Sequence, residues 1–371
     1  MSRSYAFATI SLDNMAGGLE RNIVRVANRL SKEGNKVALI TFDWETATSF
    51  YPLEEGVKWF KVATSRPHEP VSFMNRLKLI WKIRRALKEM NTSVIICFHH
   101  GILARFLLAS LFLKVGLIAS ERNSLTIYDH IKSSKWNLNF FLLAFVKRIT
   151  VQFESYRKTY PSMWRHKIDE IPNPVYPSAL IATPGEENKN GKFTLLTVGR
   201  LCTQKNYVSL IKAFSRLLVK FPKWELVIIG DGGDKALLSG LVDKLQINEK
   251  VIFVPATNEI FTYYSQSHIF CLPSQWEGFP NSLAEALAHG LPAVGFEKCA
   301  GVSDLITHKK NGLLAEGNGN VNSLTDKLEE LMADPEKRIA YSLEAVKSVQ
   351  QFNPENIYPI WKETLSKVTN R

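Results

Sequence analysis

Residues 274–296 read SQWEGFPNSLAEALAHGLPAVGF, and Glu277 and Glu285 bracket seven residues of it. Inside that interval Gly278-Phe279-Pro280-Asn281-Ser282 reads as a turn, and Leu283-Ala284-Glu285-Ala286-Leu287-Ala288 as a helix beginning. The first carboxylate is expected at the tip of a strand-to-helix loop, the second early in the helix. Backbone N–H groups of the turn and first helical turn face the same space. Such a place suits a phosphorylated sugar, with N–H groups for phosphate and carboxylates for hydroxyls. Pro280 has no N–H, so the usable donors lie on its neighbours. Two glutamates at this spacing also arise by chance, and Glu285 could be a solvated helix residue, so the surrounding chain decides.

Outward from that stretch, strand-like and helix-like segments alternate, the pattern of an α/β protein with parallel sheets. Strands are expected at 5–10, 36–42, 57–61, 93–98, 115–120 and 148–153, then at 193–198, 225–229, 251–254, 269–272 and 292–295. Helices are expected at 19–32, 73–90, 103–113, 207–220, 235–245 and 282–289. Three prolines, Pro172, Pro174 and Pro177, interrupt the middle of the chain, and the polar stretch 184–192 follows. A hinge is expected across 172–192. A length of 371 residues fits two domains.

Charge is asymmetric. Residues 1–172 hold 26 Lys and Arg against 14 Asp and Glu; residues 173–371 hold 21 against 21. The whole net charge of +12 therefore sits in the first half, which points to an anionic partner there. Residues 76–88 mix six cations with apolar residues, and Leu77, Ile80, Trp81 and Arg84 fall near one face. The stretch 132–148, with Trp136, Phe140 and Phe141, is similar. Such helices lie on anionic headgroups, or face a core with a solvated basic back. No RNP sequence, zinc finger or helix-turn-helix pattern favours nucleic acid. No apolar run is long enough to span a bilayer, and residues 1–12 lack a signal-peptide pattern. The four cysteines form no CxxC pair, which suits a reducing cytosol and gives no metal site.

Several other segments carry groups able to do chemistry. Thr197-Val198-Gly199-Arg200 closes the first strand of the second half, and Leu201-Cys202-Thr203-Gln204-Lys205-Asn206 precedes a helix. Arg offers a planar fork for phosphate oxygens and Lys a point charge. Gly230-Asp231-Gly232-Gly233 forms a tight turn, either structural or ligand-contacting. Gly17-Gly18 follows the first strand and opens a helix. His99-His100 ends the strand at 93–98, where an imidazole can bond a sugar hydroxyl or a phosphate. Ser120-Glu121-Arg122-Asn123 ends the next strand.

The seven-residue Glu spacing, Gly199-Arg200 with Lys205-Asn206, and Gly17-Gly18 together resemble the retaining family-4 glycosyltransferases, of the type that builds bacterial O-antigen, capsule and exopolysaccharide. The resemblance implies the α/β GT-B fold, two doubly wound Rossmann-like domains facing across a cleft. It implies an acceptor-binding, membrane-facing domain over 1–172, a nucleotide-sugar domain over 173–352, and a helix at 353–371 crossing back to the first domain. By resemblance Arg200 and Lys205 grip the donor diphosphate, Glu277 the sugar hydroxyls and Glu285 the ribose. Gly278, Phe279, Asn281 and Ser282 would flank sugar and phosphates, with Gly17, Gly18, Gly199 and Gly230 allowing close approach. Many members carry a histidine where this chain has Ser120-Glu121-Arg122-Asn123, so Glu121 or Arg122, with His99 and His100, would contact acceptor or sugar. The variant resembles enzymes using UDP-linked galactose, N-acetylgalactosamine or glucose. With no Asp-x-Asp motif, transfer without a metal or other cofactor is expected. The acceptor implied is a lipid-linked oligosaccharide or lipopolysaccharide intermediate, and the implied location the cytoplasmic face of the inner membrane. Other readings are a nucleotide-sugar epimerase or hydrolase of the same fold, and a non-catalytic membrane- or nucleic-acid-binding protein.

Overall fold

Val94-Ile95-Ile96-Cys97 and Ile269-Phe270-Cys271-Leu272 carry no polar side chain, so neither face of either strand can meet water. Each is the fourth strand of a parallel sheet, and all eight residues are fully buried. The structure is a computed structural model that describes residues 3–64, 72–125 and 141–369. It divides into two units, Met1–Asn173 with Ile357–Arg371, and Pro174–Asn356.

Among the described residues the first unit is built on seven parallel strands: β1 Ser4–Thr9, β2 Lys36–Thr41, β3 Val57–Lys61, β4 Val94–Cys97, β5 Gly116–Ser120, β6 Arg148–Val151 and β7 Ile168–Glu170. Their order is β3-β2-β1-β4-β5-β6-β7. Tyr5 pairs with Val37 on one side and Val94 on the other, so the order reverses between β1 and β4. In open parallel sheets, ligands sit beyond the carboxyl ends of the strands at such a reversal. The helix Gly18–Lys32 seals one face of the sheet with Ile23, Val24, Val26, Ala27 and Leu30. The C-terminal helix Pro354–Thr369 lays the fully buried Trp361 against Phe98, ring centroids 6.2 Å apart.

The second unit repeats the scheme with six parallel strands: β8 Phe193–Val198, β9 Trp224–Ile229, β10 Val251–Val254, β11 Ile269–Leu272, β12 Ala293–Phe296 and β13 Gly312–Ala315. Their order is β10-β9-β8-β11-β12-β13, reversing between β8 and β11. The loops after those two strands are the ones that carry Arg200, Lys205 and Glu277.

Where the structure departs from the sequence reading, local causes can be named. The helix expected to reach 113 ends at Ser110, because Leu111 turns extended at ψ 131 and Phe112 follows at φ 62. The helix expected to reach 220 ends at Leu217, and the strand expected at 292–295 is Ala293–Phe296. The last helix, expected at 353–371, is opened by Pro354, at a position where a missing N–H costs nothing. Strands β7 and β13 and the helices Val321–Ala333 and Pro335–Ser348 were not expected. The helix Phe73–Glu89 buries Ile83, Ala86 and Leu87, leaving Leu77 and Trp81 exposed. Residues 132–140 of the second basic stretch lie outside the described residues. Among the described residues no helix is long and apolar enough to cross a membrane.

Candidate active site

The second unit's site begins with two loops that must nearly touch. Gly230 adopts φ 142, and a Cβ there would run into the carbonyl of Gly199. A Cβ on Gly232 would strike the backbone of Leu201. The loops after β8 and β9 therefore pack backbone to backbone, held by Leu201 N–H to Asp231 O at 2.9 Å and Asp234 N–H to Leu201 O at 3.0 Å. The glycines of Gly230-Asp231-Gly232 serve that packing, which fixes the course of the chain from Gly199 onward. The Asp231 carboxylate accepts the Ala256 N–H at 2.9 Å, adding the loop after β10.

From Gly199 the chain passes the exposed Arg200 and enters a 3-10 turn, Thr203–Lys205, which the left-handed Asn206 (φ 51) closes at the start of helix Tyr207–Leu217. This turn is stitched to the loop after β11. Gln204 accepts the Gln275 N–H at 2.9 Å and its side chain donates to Trp276 O at 2.8 Å. Beside that stitch the Lys205 ammonium lies 2.5 Å from Glu277 Oε1, both side chains nearly buried. The Ser274 hydroxyl donates to the same oxygen at 2.7 Å. Glu277 is thus aimed by two donors from two loops. Among the described residues the Arg200 side chain has no hydrogen-bond or ion-pair partner, so its guanidinium is available for an anion.

Pro280 precedes the helix Asn281–Ala288, whose first turn carries the half-buried Asn281 and Ser282. Its amino end supplies partial positive charge near Gly278, which is buried. Phe279 is buried edge-on against Phe352, centroids 5.5 Å apart, which anchors the loop. One turn into the helix, Glu285 accepts the Tyr264 hydroxyl at 3.3 Å. Burial pushes the Tyr207 phenol and the Cys299 thiol well up, with Glu277 adding to the rise, so both stay protonated near that carboxylate. Sequence reading missed the roles of Ser274, Gln204 and Tyr264.

In the first unit a second cluster stands at the carboxyl ends of β4 and β5. His100 is buried in the 3-10 turn His100–Ile102, next to the half-buried His99. Glu121 accepts the backbone N–H of His100 at 3.3 Å and of Arg122 at 2.9 Å, and its carboxylate lies 3.7 Å from His100 Nδ1. The Tyr160 hydroxyl lies 3.5 Å from His100 Nε2. Burial holds His100 below the usual imidazole range, with Glu121 opposing, so the ring is neutral at pH 7.

Arg122 turns away into the unit. Its guanidinium donates to Ile171 O at 3.0 Å and lies over the rings of Phe98 and Trp361, at 5.3 and 5.2 Å. Burial pushes it down to about 9, against the raising effect of Glu121, and it remains charged at pH 7. Asn22 on the first helix donates to Asn173 at 2.9 Å, so Arg122 and Asn22 grip the same exit segment of the chain. Gly17 and Gly18 begin that helix beyond β1, the neighbour of β4. A Cβ on Gly17 would strike the buried carboxylate of Glu20. The structure thus gathers His99, His100 and Glu121 at one place, and sends the Arg122 side chain elsewhere. Among the described residues no group of three His, Cys, Asp or Glu is placed to hold a metal ion.

Comparison with known proteins adds the following. Residues 182–347 match the family model of glycosyl transferases group 1, and residues 16–178 that of glycosyltransferase family 4. An uncharacterised glycosyltransferase of Haemophilus influenzae is 29% identical over 355 residues, 94% of this chain and 96% of that protein. Campylobacter jejuni GalNAc-alpha-(1->4)-GalNAc-alpha-(1->3)-diNAcBac-PP-undecaprenol alpha-1,4-N-acetyl-D-galactosaminyltransferase is 28% identical over 382 aligned positions, 100% of this chain and 99% of that protein. Among solved structures, Anabaena HepE in complex with UDP-glucose superimposes with a TM-score of 0.78 at 16% identity, covering 98% of this chain and 99% of that one. The architecture of two Rossmann-like units is that of the GT-B fold.

Proposed function

The chain belongs to the family-4 glycosyltransferases of GT-B fold and surface-polysaccharide type, and from that premise we propose that it moves a hexose or N-acetylhexosamine from a nucleotide sugar to a lipid-linked saccharide. The donor is UDP-linked galactose, N-acetylgalactosamine or glucose, held by residues 173–352. The acceptor is a lipid-linked oligosaccharide or lipopolysaccharide intermediate, received by residues 1–172 at the cytoplasmic face of the inner membrane. The undecaprenol-linked substrate in the Campylobacter relative's name and the UDP-glucose in the Anabaena structure support this choice.

The observation that carries the reading is the Lys205–Glu277 pair at the strand reversal of the second unit, with Arg200 exposed on the same loop as Lys205. A nucleoside diphosphate entering there meets the Arg200 fork, the Lys205 ammonium and the amino end of helix Asn281–Ala288. Glu277, aimed by Ser274, hydrogen-bonds sugar hydroxyls, and Glu285, steadied by Tyr264, the ribose. The acceptor hydroxyl attacks the anomeric carbon as the bond to the diphosphate breaks. The negative charge that develops on the leaving phosphate is stabilised by Arg200, Lys205 and backbone N–H groups. The departing phosphate oxygen takes the acceptor's proton on the same face, so configuration is retained and no side-chain base is required. Because the Lys205 and Arg200 cations do the work of a metal, the reaction runs without one.

Calorimetric titration of UDP tests the site. Wild type binds, and Arg200→Ala with Lys205→Ala raises Kd by at least about a hundredfold, the loss of two charge-assisted contacts. An unchanged Kd removes both residues from the diphosphate site.

A further inference from the structure

The +12 of the first half explains attraction to an anionic surface, but charge alone does not account for the apolar side chains the fold leaves outside. The helix Phe73–Glu89 turns Ile83, Ala86 and Leu87 inward and presents Phe73, Met74, Leu77 and Trp81 to solvent, with Phe73 73% and Trp81 59% exposed. These four share a stripe at helical spacing on the side away from the buried residues. Arg85 lies with its guanidinium 5.7 Å from the centre of the Trp81 ring, an aromatic and a cation side by side, as at a membrane interface.

The next helix, Leu103–Ser110, ends against the first. Arg84 donates to Ala109 O at 2.9 Å and to Leu111 O at 2.7 Å, fixing the loop after Ser110. At the tip of that loop Phe112 is 98% exposed in a left-handed conformation, φ 62. A bulky residue there is strained on its backbone and gains nothing from packing. Asn or Gly would relieve the backbone at once, so the exposed ring sits there at a backbone cost that packing within the fold does not offset. Leu108 and Leu111 beside it are exposed as well. Residues 73–88 hold six Lys and Arg, residues 101–120 two more, and neither stretch has an Asp or Glu. An acid-free rim around exposed aromatic and aliphatic side chains complements an anionic lipid surface.

We propose that the outer face of helix Phe73–Glu89 and the loop Leu111–Leu113 form one wedge that enters the headgroup–acyl boundary of an anionic bilayer, with Phe112 as its inserted tip. The inference rests on reading residues 1–172 as the membrane-facing domain and adds a mode of contact: insertion on top of electrostatic adsorption. Adsorption by charge alone disappears when salt screens it. Insertion leaves a fraction bound.

The test is co-sedimentation of the full chain with phosphatidylcholine vesicles, pure or with about a third phosphatidylglycerol, at about 50 mM and about 500 mM salt. The variant is Phe112→Asn, since Asn accepts the left-handed conformation and the fold is kept; an unchanged thermal unfolding curve checks this. Wild type is expected to bind the phosphatidylglycerol vesicles and to keep a salt-resistant fraction. Phe112→Asn is expected to lose that fraction and to partition about tenfold less, the loss of one inserted aromatic ring. If wild type binds and the variant matches it at both salts, the wedge is overturned while the membrane-facing reading stands. If wild type binds neither vesicle, both fall. Equal binding to both vesicles contradicts the anionic partner.

Discussion

Glu277 Oε1 receives two donors at once, the Lys205 ammonium and the Ser274 hydroxyl, 72 and 3 residues away. Glu277→Gln keeps the shape and removes the charge, and is expected to lower kcat/KM by at least about a hundredfold. Ser274→Ala loosens the aim only, and about a tenfold loss in kcat with little change in KM is expected. Steady-state kinetics with the donor identified separates the two; equal effects would place Ser274 in direct contact with substrate. His268 makes a different, structural prediction. Its Nδ1 accepts the Thr194 N–H at 2.8 Å, so Nε2 carries the proton shared with Glu186 O at 2.7 Å. Burial, aided by Arg338, holds it down to about 4. The unfolded state therefore binds more protons between pH 6.5 and about 4, and stability falls as pH falls through that window, by about 3 kcal/mol from this group. Urea titrations at pH 7 and 4.5 should show a smaller loss for His268→Gln than for wild type; an identical loss would place the titration elsewhere. At this scale the glutamate spacing and Arg200-to-Lys205 were readable because each is a local string. The aim of Glu277 was not, because it depends on contact between loops far apart in sequence. Arg122 shows the same limit: its type and position at a strand end were visible, but not that Phe98 and Trp361 take its guanidinium inward.

Elements were legible by two signals: β11 is an unbroken apolar run buried throughout, while the half-buried edge strands β3 and β10 show in their aromatic and β-branched residues. Strands β3, β8, β10 and β11 lie where the sequence reading put them, and most others within a residue or two. Strand β7, Ile168-Asp169-Glu170, has two acidic residues among its three and reads as loop. Strand β13 is short and opens on Gly312. Helix ends were read late where a left-handed residue or a tight turn follows, as at Phe112. The glycine turn after β9 was open between a structural and a ligand role, and its geometry makes the structural role concrete. Gly230→Ala drives a Cβ into the Gly199 carbonyl at a φ that L residues rarely adopt. A loss of about 3 kcal/mol in the stability of the second unit is expected by denaturant titration. A variant as stable as wild type would mean the two loops can separate without cost.

For the whole molecule, charge and chemistry divide along the chain. The first half carries the entire net positive charge, and the second, neutral in sum, carries the carboxylate pair with its two cations. That division is what the proposed assignment of the acceptor to residues 1–172 and of the nucleotide sugar to residues 173–352 expects. If Arg200 and Lys205 stabilise the leaving group, EDTA leaves the initial rate unchanged within error; inhibition reversed by Mn²⁺ would overturn a metal-free reaction. The central claim, glycosyl transfer from a nucleotide sugar at the Lys205–Glu277 site, is tested most directly by nucleotide release. Purified protein is offered UDP-, GDP- and ADP-sugars with and without lipid extract from the source cell, beside Glu277→Gln. The account predicts UDP release from one sugar, stimulated by lipid and lost in the variant. Absence of any release together with absence of nucleotide binding would contradict it.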